Sequence, residues 1–199
     1  MIEFKEFPKM ARLSREMIIT EKIDGTNASI FIQNEALETQ ENQPHVVAIS
    51  SDGEYTMRVG SRTTWITPSD DNYGFAKWAA ANAEELFKLG EGHHFGEWWG
   101  QGIQRGYGLK EKRFSLFNVA RWDSDDRPKC CHVVPTLYKF TFDTFHHIDV
   151  ALNNLKQYGS SAAPGFMSPE GIVVYHVAGG VGFKKTIKKD ELPKSLTKE

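Results

Sequence analysis

The chain has 199 residues, 40% of them hydrophobic and 25% charged, with a formal net charge of −2. That length suits one domain with a substantial core, and the near-neutral balance excludes a protein that coats nucleic acid by charge alone, although a local basic face stays open. No stretch reads as a membrane helix, the N-terminus lacks the plan of a secretory signal, and the adjacent Cys130 and Cys131 exclude a disulfide framework, so a reducing, cytoplasmic setting is expected.

Alternation of apolar and polar residues predicts an α+β chain dominated by strands, over 17–20, 28–33, 46–50, 57–61, 93–98, 113–122, 171–176 and 181–187. Turns at Asp24-Gly25, Asp52-Gly53, the run 123–128 and Gly179-Gly180 separate them, and the last predicts a hairpin. One helix is predicted over 75–89, with Phe75, Trp78, Ala79, Asn82, Ala83, Leu86 and Phe87 on one face and a stop at Gly90. A second, over 145–158, carries Ile148, Ala151, Leu152, Leu155 and Tyr158 and stops at Gly159. Both stripes read as core faces. Residues 35–44 and 157–168 read as loops and 193–199 as a frayed tail. With no repeat and no linker, a single domain over 1–192 is expected, without room for a C-terminal accessory domain.

Lys22 stands in Glu21-Lys22-Ile23-Asp24-Gly25-Thr26-Asn27, between an apolar pair (Ile18, Ile19) and an alternating run (Ala28, Ile30, Ile32). Alone, this is as well read as a solvated lysine beside a turn as a nucleophile on a rigid sheet. Four more segments follow in order: Val59-Gly60-Ser61-Arg62-Thr63; Phe95-Gly96-Glu97-Trp98-Trp99-Gly100 with Phe114-Ser115-Leu116-Phe117-Asn118-Val119; Ser168-Pro169-Glu170-Gly171-Ile172-Val173-Val174; and Gly182-Phe183-Lys184-Lys185-Thr186.

This series resembles the motifs of the covalent nucleotidyltransferase superfamily of ATP-dependent ligases and capping enzymes. It is most similar to RNA ligases of the RNA ligase 2 type, in which motif I ends in Thr-Asn as Thr26-Asn27 does here. The resemblance runs from about Ile18 to Asp190. It implies two packed, mostly antiparallel sheets flanked by helices, an ATP-grasp-like ligase core with the nucleotide in the cleft between them. It further implies ATP and Mg²⁺ or Mn²⁺ as cofactors and an RNA partner, a nicked duplex or a broken stem-loop. As a catalytic core alone, such a chain could depend on an accessory protein for substrate binding.

The chemistry fits these residue types. A lysine has a reference pKa of about 10.4 and must lose its proton to attack an α-phosphate; nearby positive charge activates it, and Lys184 can supply that charge. Phosphoryl transfer otherwise asks mainly for positioning and electrostatic stabilisation. By resemblance, Lys22 and Lys184 are catalytic, Glu97 contacts the ribose, Glu170 the metal, and Phe117 stacks on adenine, with Glu97 a second carboxylate available to metal. Arg62 contacts the phosphate at the nick, Asn27 helps order the reacting end, and Glu21 and Ile23 flank the nucleophile in the adenine pocket. The last motif departs from its usual K-x-K, because Thr186 stands where a second lysine is expected. Lys188 shares the parity of Lys184 if the strand continues, and Lys185 should point away.

Minimal DNA ligases, GTP-using capping enzymes and non-catalytic nucleotide- or RNA-binding modules stay open as alternatives. His93-His94, His146-His147 and Cys130-Cys131-His132 lack zinc-ligand spacing. Residues 100–108 read as a mobile loop, and at least one of Trp98 and Trp99 should enter the core.

Overall fold

The computed structural model describes residues 3–35, 44–188 and 190–191. Its strands are β1 (Glu16–Lys22), β2 (Thr26–Asn34), β3 (Val46–Ile49), β4 (Tyr55–Gly60), β5 (Trp65–Ile66), β6 (Gly92–Gly100), β7 (Lys112–Leu116), β8 (Cys131–Val133), β9 (Thr136–Thr141), β10 (Gly171–His176) and β11 (Val181–Thr186). The helices are α1 (Phe75–Ala81), α2 (Ala83–Leu86), α3 (Val119–Trp122) and α4 (His146–Tyr158). The chain divides into two compact units, one from Met1–Lys22 with Pro135–Glu199 and one from Ile23–Val134. Each has its own sheet, so the α+β expectation of two mostly antiparallel sheets with helices holds.

In the first unit a 4-stranded antiparallel sheet runs in the order β11-β10-β1-β9. Period-two alternation gives each strand two faces. Met17 and Ile19 of β1 and Ile172 and Val174 of β10 pack on Ala151, Leu152 and Leu155 of α4. Burying each such aliphatic side chain contributes ~2 kcal/mol, which is why the stripe of α4 sets the orientation of the sheet. Ile18, Thr20 and Lys22 have the opposite parity. Tyr158 ends the predicted stripe but is exposed.

In the second unit a 7-stranded sheet runs β3-β4-β2-β6-β7-β8, with β5 beside β4; only the β7–β8 pair is parallel. Ala28, Ile30, Ile32, Met57, Val59, Trp98, Phe114 and Leu116 pack on Phe75, Ala76, Ala79 and Leu86. No helix among the described residues is long and apolar enough to cross a membrane.

Several expectations need correction. The single helix over 75–89 is two helices and a 3-10 turn, broken at Asn82, whose side-chain amide donates to the Trp78 carbonyl at 2.8 Å and competes with the helical ladder. The single strand over 113–122 stops at Leu116. Asn118 there accepts a hydrogen bond from the Arg121 N–H and caps α3. Strands β5, β8 and β9 were not predicted. The Gly179-Gly180 hairpin is present, with a 3-10 turn at Val177–Gly179. The loop over 100–108 is built of turns and anchored by the buried Ile103 and Tyr107. Most of the predicted loop over 35–44, and the tail over 193–199, lie outside the described residues.

Candidate active site

The first unit carries Lys22, Glu21, Glu170, Lys184 and Lys188. Lys22 ends β1 opposite Gly171, the first residue of β10, which in turn pairs with Thr186 of β11. Its Nζ lies 2.5 Å from Oε2 of Glu170, and both side chains are largely shielded from solvent. The glycine after Glu170 has a steric reason: a Cβ at Gly171 would sit 2.2 Å from the carbonyl oxygen of Lys185. Only glycine lets β10 begin so close to β11, and it leaves no side chain in the row beside Lys22.

One step back along the sheet, Thr20, Val173 and Lys184 form the neighbouring row. Cross-strand partners share a face, so Lys184 is on the face of Lys22. It lies two strands away, about 10 Å across the sheet at the usual strand spacing. Lys185 has the opposite parity, and its amine pairs with Asp190 at 3.4 Å. The expectation for Lys188 is corrected: β11 ends at Thr186, whose hydroxyl donates to the Lys188 carbonyl, so the chain turns back and strand parity assigns Lys188 no face.

Glu21 points away from Lys22. It is 1% exposed, and its carboxylate accepts hydrogen bonds from the Ser160 hydroxyl at 2.6 Å and from the Ser161 and Ala162 N–H groups at 2.8 and 2.9 Å. Burial pushes its pKa up, and those three bonds oppose the shift. In this arrangement Glu21 fastens the segment leading from α4 towards Glu170.

The second unit carries Ile23, Asn27, Arg62, Glu97 and Phe117. The side chain of Ile23 is buried. Asn27 and Glu97 are direct partners on β2 and β6. Glu97 Oε2 accepts from the Asn27 amide at 3.0 Å, and Asn27 Oδ1 accepts from Arg62 Nε at 2.8 Å. A carboxylate, an amide and an exposed guanidinium thus form one chain, which fixes which way the amide faces. Glu97 Oε1 accepts the Gly25 N–H at 3.0 Å. Gly25 is again sterically required, since a Cβ would lie 2.5 Å from the Trp98 carbonyl and 2.7 Å from Trp99 Cβ. Both tryptophans are buried. Phe117 follows β7, is 42% exposed, and donates its N–H to the Phe95 carbonyl.

Sequence reasoning missed the support of Asp24. Its N–H donates to the Tyr107 hydroxyl at 2.8 Å, and its carboxylate pairs with Arg105 at 2.8 Å. Tyr107, at a positive φ of 52°, also meets Trp99 edge-on at 5.0 Å. The glycine-rich run 100–108 was the visible signal, and the buried tyrosine within it is what that signal pointed to.

Among the described residues no three His, Cys, Asp or Glu side chains gather into a metal cage. The donors present suit a hard cation that takes a carboxylate, waters and phosphate oxygens instead. Glu170 or Glu97 would hold it; the Glu97 oxygens already accept hydrogen bonds, but each keeps acceptor capacity.

The antiparallel sheet of the first unit thus carries a lysine–glutamate pair, and the mostly antiparallel sheet of the second carries a glutamate–asparagine–arginine chain. The RNA ligase family model matches residues 15–189, and the chain belongs to the RNA ligase family. No curated protein matches it in sequence. Among solved structures it is similar to Naegleria gruberi RNA ligase. One variant with ATP and Mn has a TM-score of 0.58 and 19% identity over 88% of this chain and 51% of that one. A second ATP and Mn complex gives 0.57 and 19% over 86% and 48%. The ligase with PPi gives 0.53 and 18% over 87% and 50%. The chain therefore spans about half the length of these relatives, and the likeness establishes the fold.

Proposed function

We propose that the protein is an ATP-dependent RNA ligase core that joins 3′-hydroxyl and 5′-phosphate RNA ends through a lysyl-AMP intermediate. In the first step the lone pair of Lys22 Nζ attacks the α-phosphorus of ATP; an N–P bond forms, the bond to pyrophosphate breaks, and the amine gives up a proton. In the second, a 5′-phosphate oxygen of RNA attacks the same phosphorus and displaces Lys22. In the third, the 3′-hydroxyl attacks the RNA phosphate, AMP leaves, and the strand is sealed.

The observation that carries this reading is the Lys22–Glu170 pair, with Lys184 on the same face of the sheet. Nucleotide binding without chemistry needs no lysine at a strand end held by a carboxylate. Glu170 keeps the amine in place until substrate arrives, and Lys184 offers positive charge to the α-phosphate. Mg²⁺ or Mn²⁺, held by Glu170 or Glu97, would neutralise charge on the phosphates. Glu97 would hold the ribose and Phe117 the adenine face. Asn27 keeps the fork of Arg62 directed for a phosphate at the nick. The setting inferred is the repair of nicked or broken RNA in a cytoplasm.

The test is nick sealing with ATP on an RNA duplex and on its DNA counterpart, alongside GTP and NAD as nucleotide donors. Sealing of RNA with ATP is expected, and its loss in Lys22→Ala, Glu97→Ala and Glu170→Ala. Sealing of DNA alone, or labelling by GTP alone, contradicts the assignment.

A further inference from the structure

The face of the second sheet that bears Asn27 and Glu97 continues into a strip of aromatic rings. Its first row is Ser115, Glu97 and Asn27. The next row is Phe95, Ser29, Gly60 and Trp65, and the third is His93, Phe31 and Arg58. The helices pack on the other face, through Ala28, Ile30, Ile32 and Trp98, so these rings are not core residues. They form one cluster: His93 lies 4.3 Å from Phe31, 5.4 Å from Phe95 and, stacked, 5.9 Å from Trp65. Phe31 and Trp65 are 6.0 Å apart.

Cross-strand ring pairs stabilise a sheet, but that does not account for the exposure of this one. Phe95 is 56% and Trp65 37% exposed. Ser29, only 7% exposed, and Gly60, where an added Cβ would meet the Trp65 ring at 3.5 Å, lie beneath the rings, so the open surface is that of the rings themselves. Arg62, one turn from Trp65 in the β4–β5 connection, presents a cation at the same edge.

We propose that this strip is a stacking platform for unpaired bases of the RNA strand undergoing sealing, a proposal that rests on the RNA ligase reading above. Its continuity row by row with Asn27 and Glu97 favours a polymer whose reacting end is held there. Flat π-faces suit nucleobases of any sequence, and a neighbouring guanidinium suits their phosphates. The platform would therefore grip single-stranded RNA next to the ends while leaving sequence unread.

The experiment uses the full chain and fluorescence anisotropy with two probes, a labelled single-stranded RNA oligonucleotide and the fully paired duplex of the same sequence. Phe95→Ala and Trp65→Ala are each expected to weaken single-strand binding about tenfold, to change duplex binding less than about twofold, and to leave AMP attachment to Lys22 unaltered. Phe95→Tyr should restore binding. Unchanged single-strand affinity, an equal loss on the duplex, or a wild-type chain that takes up AMP but binds no single strand overturns the platform. If wild type binds single strands through these rings but acquires no AMP, the ligase reading fails and the platform stands. An affinity that is RNA-independent and ring-dependent only for a protein ligand also overturns it.

Discussion

Replacing Gly171 with alanine strikes the point where fold and chemistry meet. The new Cβ would stand 2.2 Å from the Lys185 carbonyl oxygen and 2.7 Å from Thr186 Cα, against an ordinary contact of 3.4–4 Å. Both obstacles are backbone, so neither can rotate aside, and β11 must yield by more than about 1 Å. Because β11 is an edge strand, its end peels away and strains the Ile187 N–H to Glu170 carbonyl bond, 2.9 Å in the native chain. Overpacking costs about 1–3 kcal/mol, and each backbone bond lost adds about 1 kcal/mol. A total of about 3 kcal/mol corresponds to a fall in Tm of about 9 °C for a chain of this size. The displacement carries Glu170 and Lys184 with it, so AMP attachment should slow as well. Calorimetry and a single-turnover labelling assay read both effects. Gly182→Ala on the same hairpin is the control, since its Cβ would meet only ordinary contacts at 3.7 and 3.8 Å. A Gly171→Ala protein melting within about 2 °C of wild type, with unchanged labelling, refutes the steric reasoning.

Glu21→Ala leaves three buried or half-buried donors without their acceptor. It should destabilise by about 3 kcal/mol, whereas Glu21→Gln, which keeps a carbonyl oxygen, costs about 1 kcal/mol; urea unfolding compares them, and equal costs contradict the role of the acceptor. Asn27→Ala cuts the link between Glu97 and Arg62 and should slow nick sealing about tenfold; rapid-quench rates equal to wild type would deny the link a function. Burial lowers the pKa of His94 and His132, so just below the ordinary histidine value of about 6.5 the unfolded chain binds more protons than the folded one. Stability therefore falls as pH drops through that window, and the urea midpoint should be lower at about pH 5.5 than at about pH 7.5. Glu21, its pKa raised, acts in the opposite sense nearer the carboxylate range. A midpoint that rises between those two pH values contradicts the histidine argument.

Strands with strict alternation were legible in the sequence: β10 spans the predicted 171–176, and β1, β2 and β6 enclose their predicted cores. Residues whose local chemistry competes with the pattern were read less well. Asn82 and Asn118 each divert the backbone through a side-chain hydrogen bond, which a periodicity of apolar residues does not register. Strand β8 exists through its parallel pairing with the distant β7, and β9 is half-exposed without alternation, so neither announces itself locally. At the site, Lys184 was picked out by resemblance to a closing-strand lysine motif, and the strand pairing puts it on the face of Lys22. The anchoring of Asp24 by Arg105 and Tyr107 joins residues 81 and 83 positions apart and needed the folded loop to be seen.

The most direct measurement is the intact mass of the chain after incubation with ATP and a divalent cation, followed by mapping of the modified peptide. A single AMP adduct on Lys22, absent from Lys22→Ala, is the expected result. No adduct under any of Mg²⁺ or Mn²⁺, or an adduct that persists in Lys22→Ala, contradicts the assignment of Lys22 as the nucleophile.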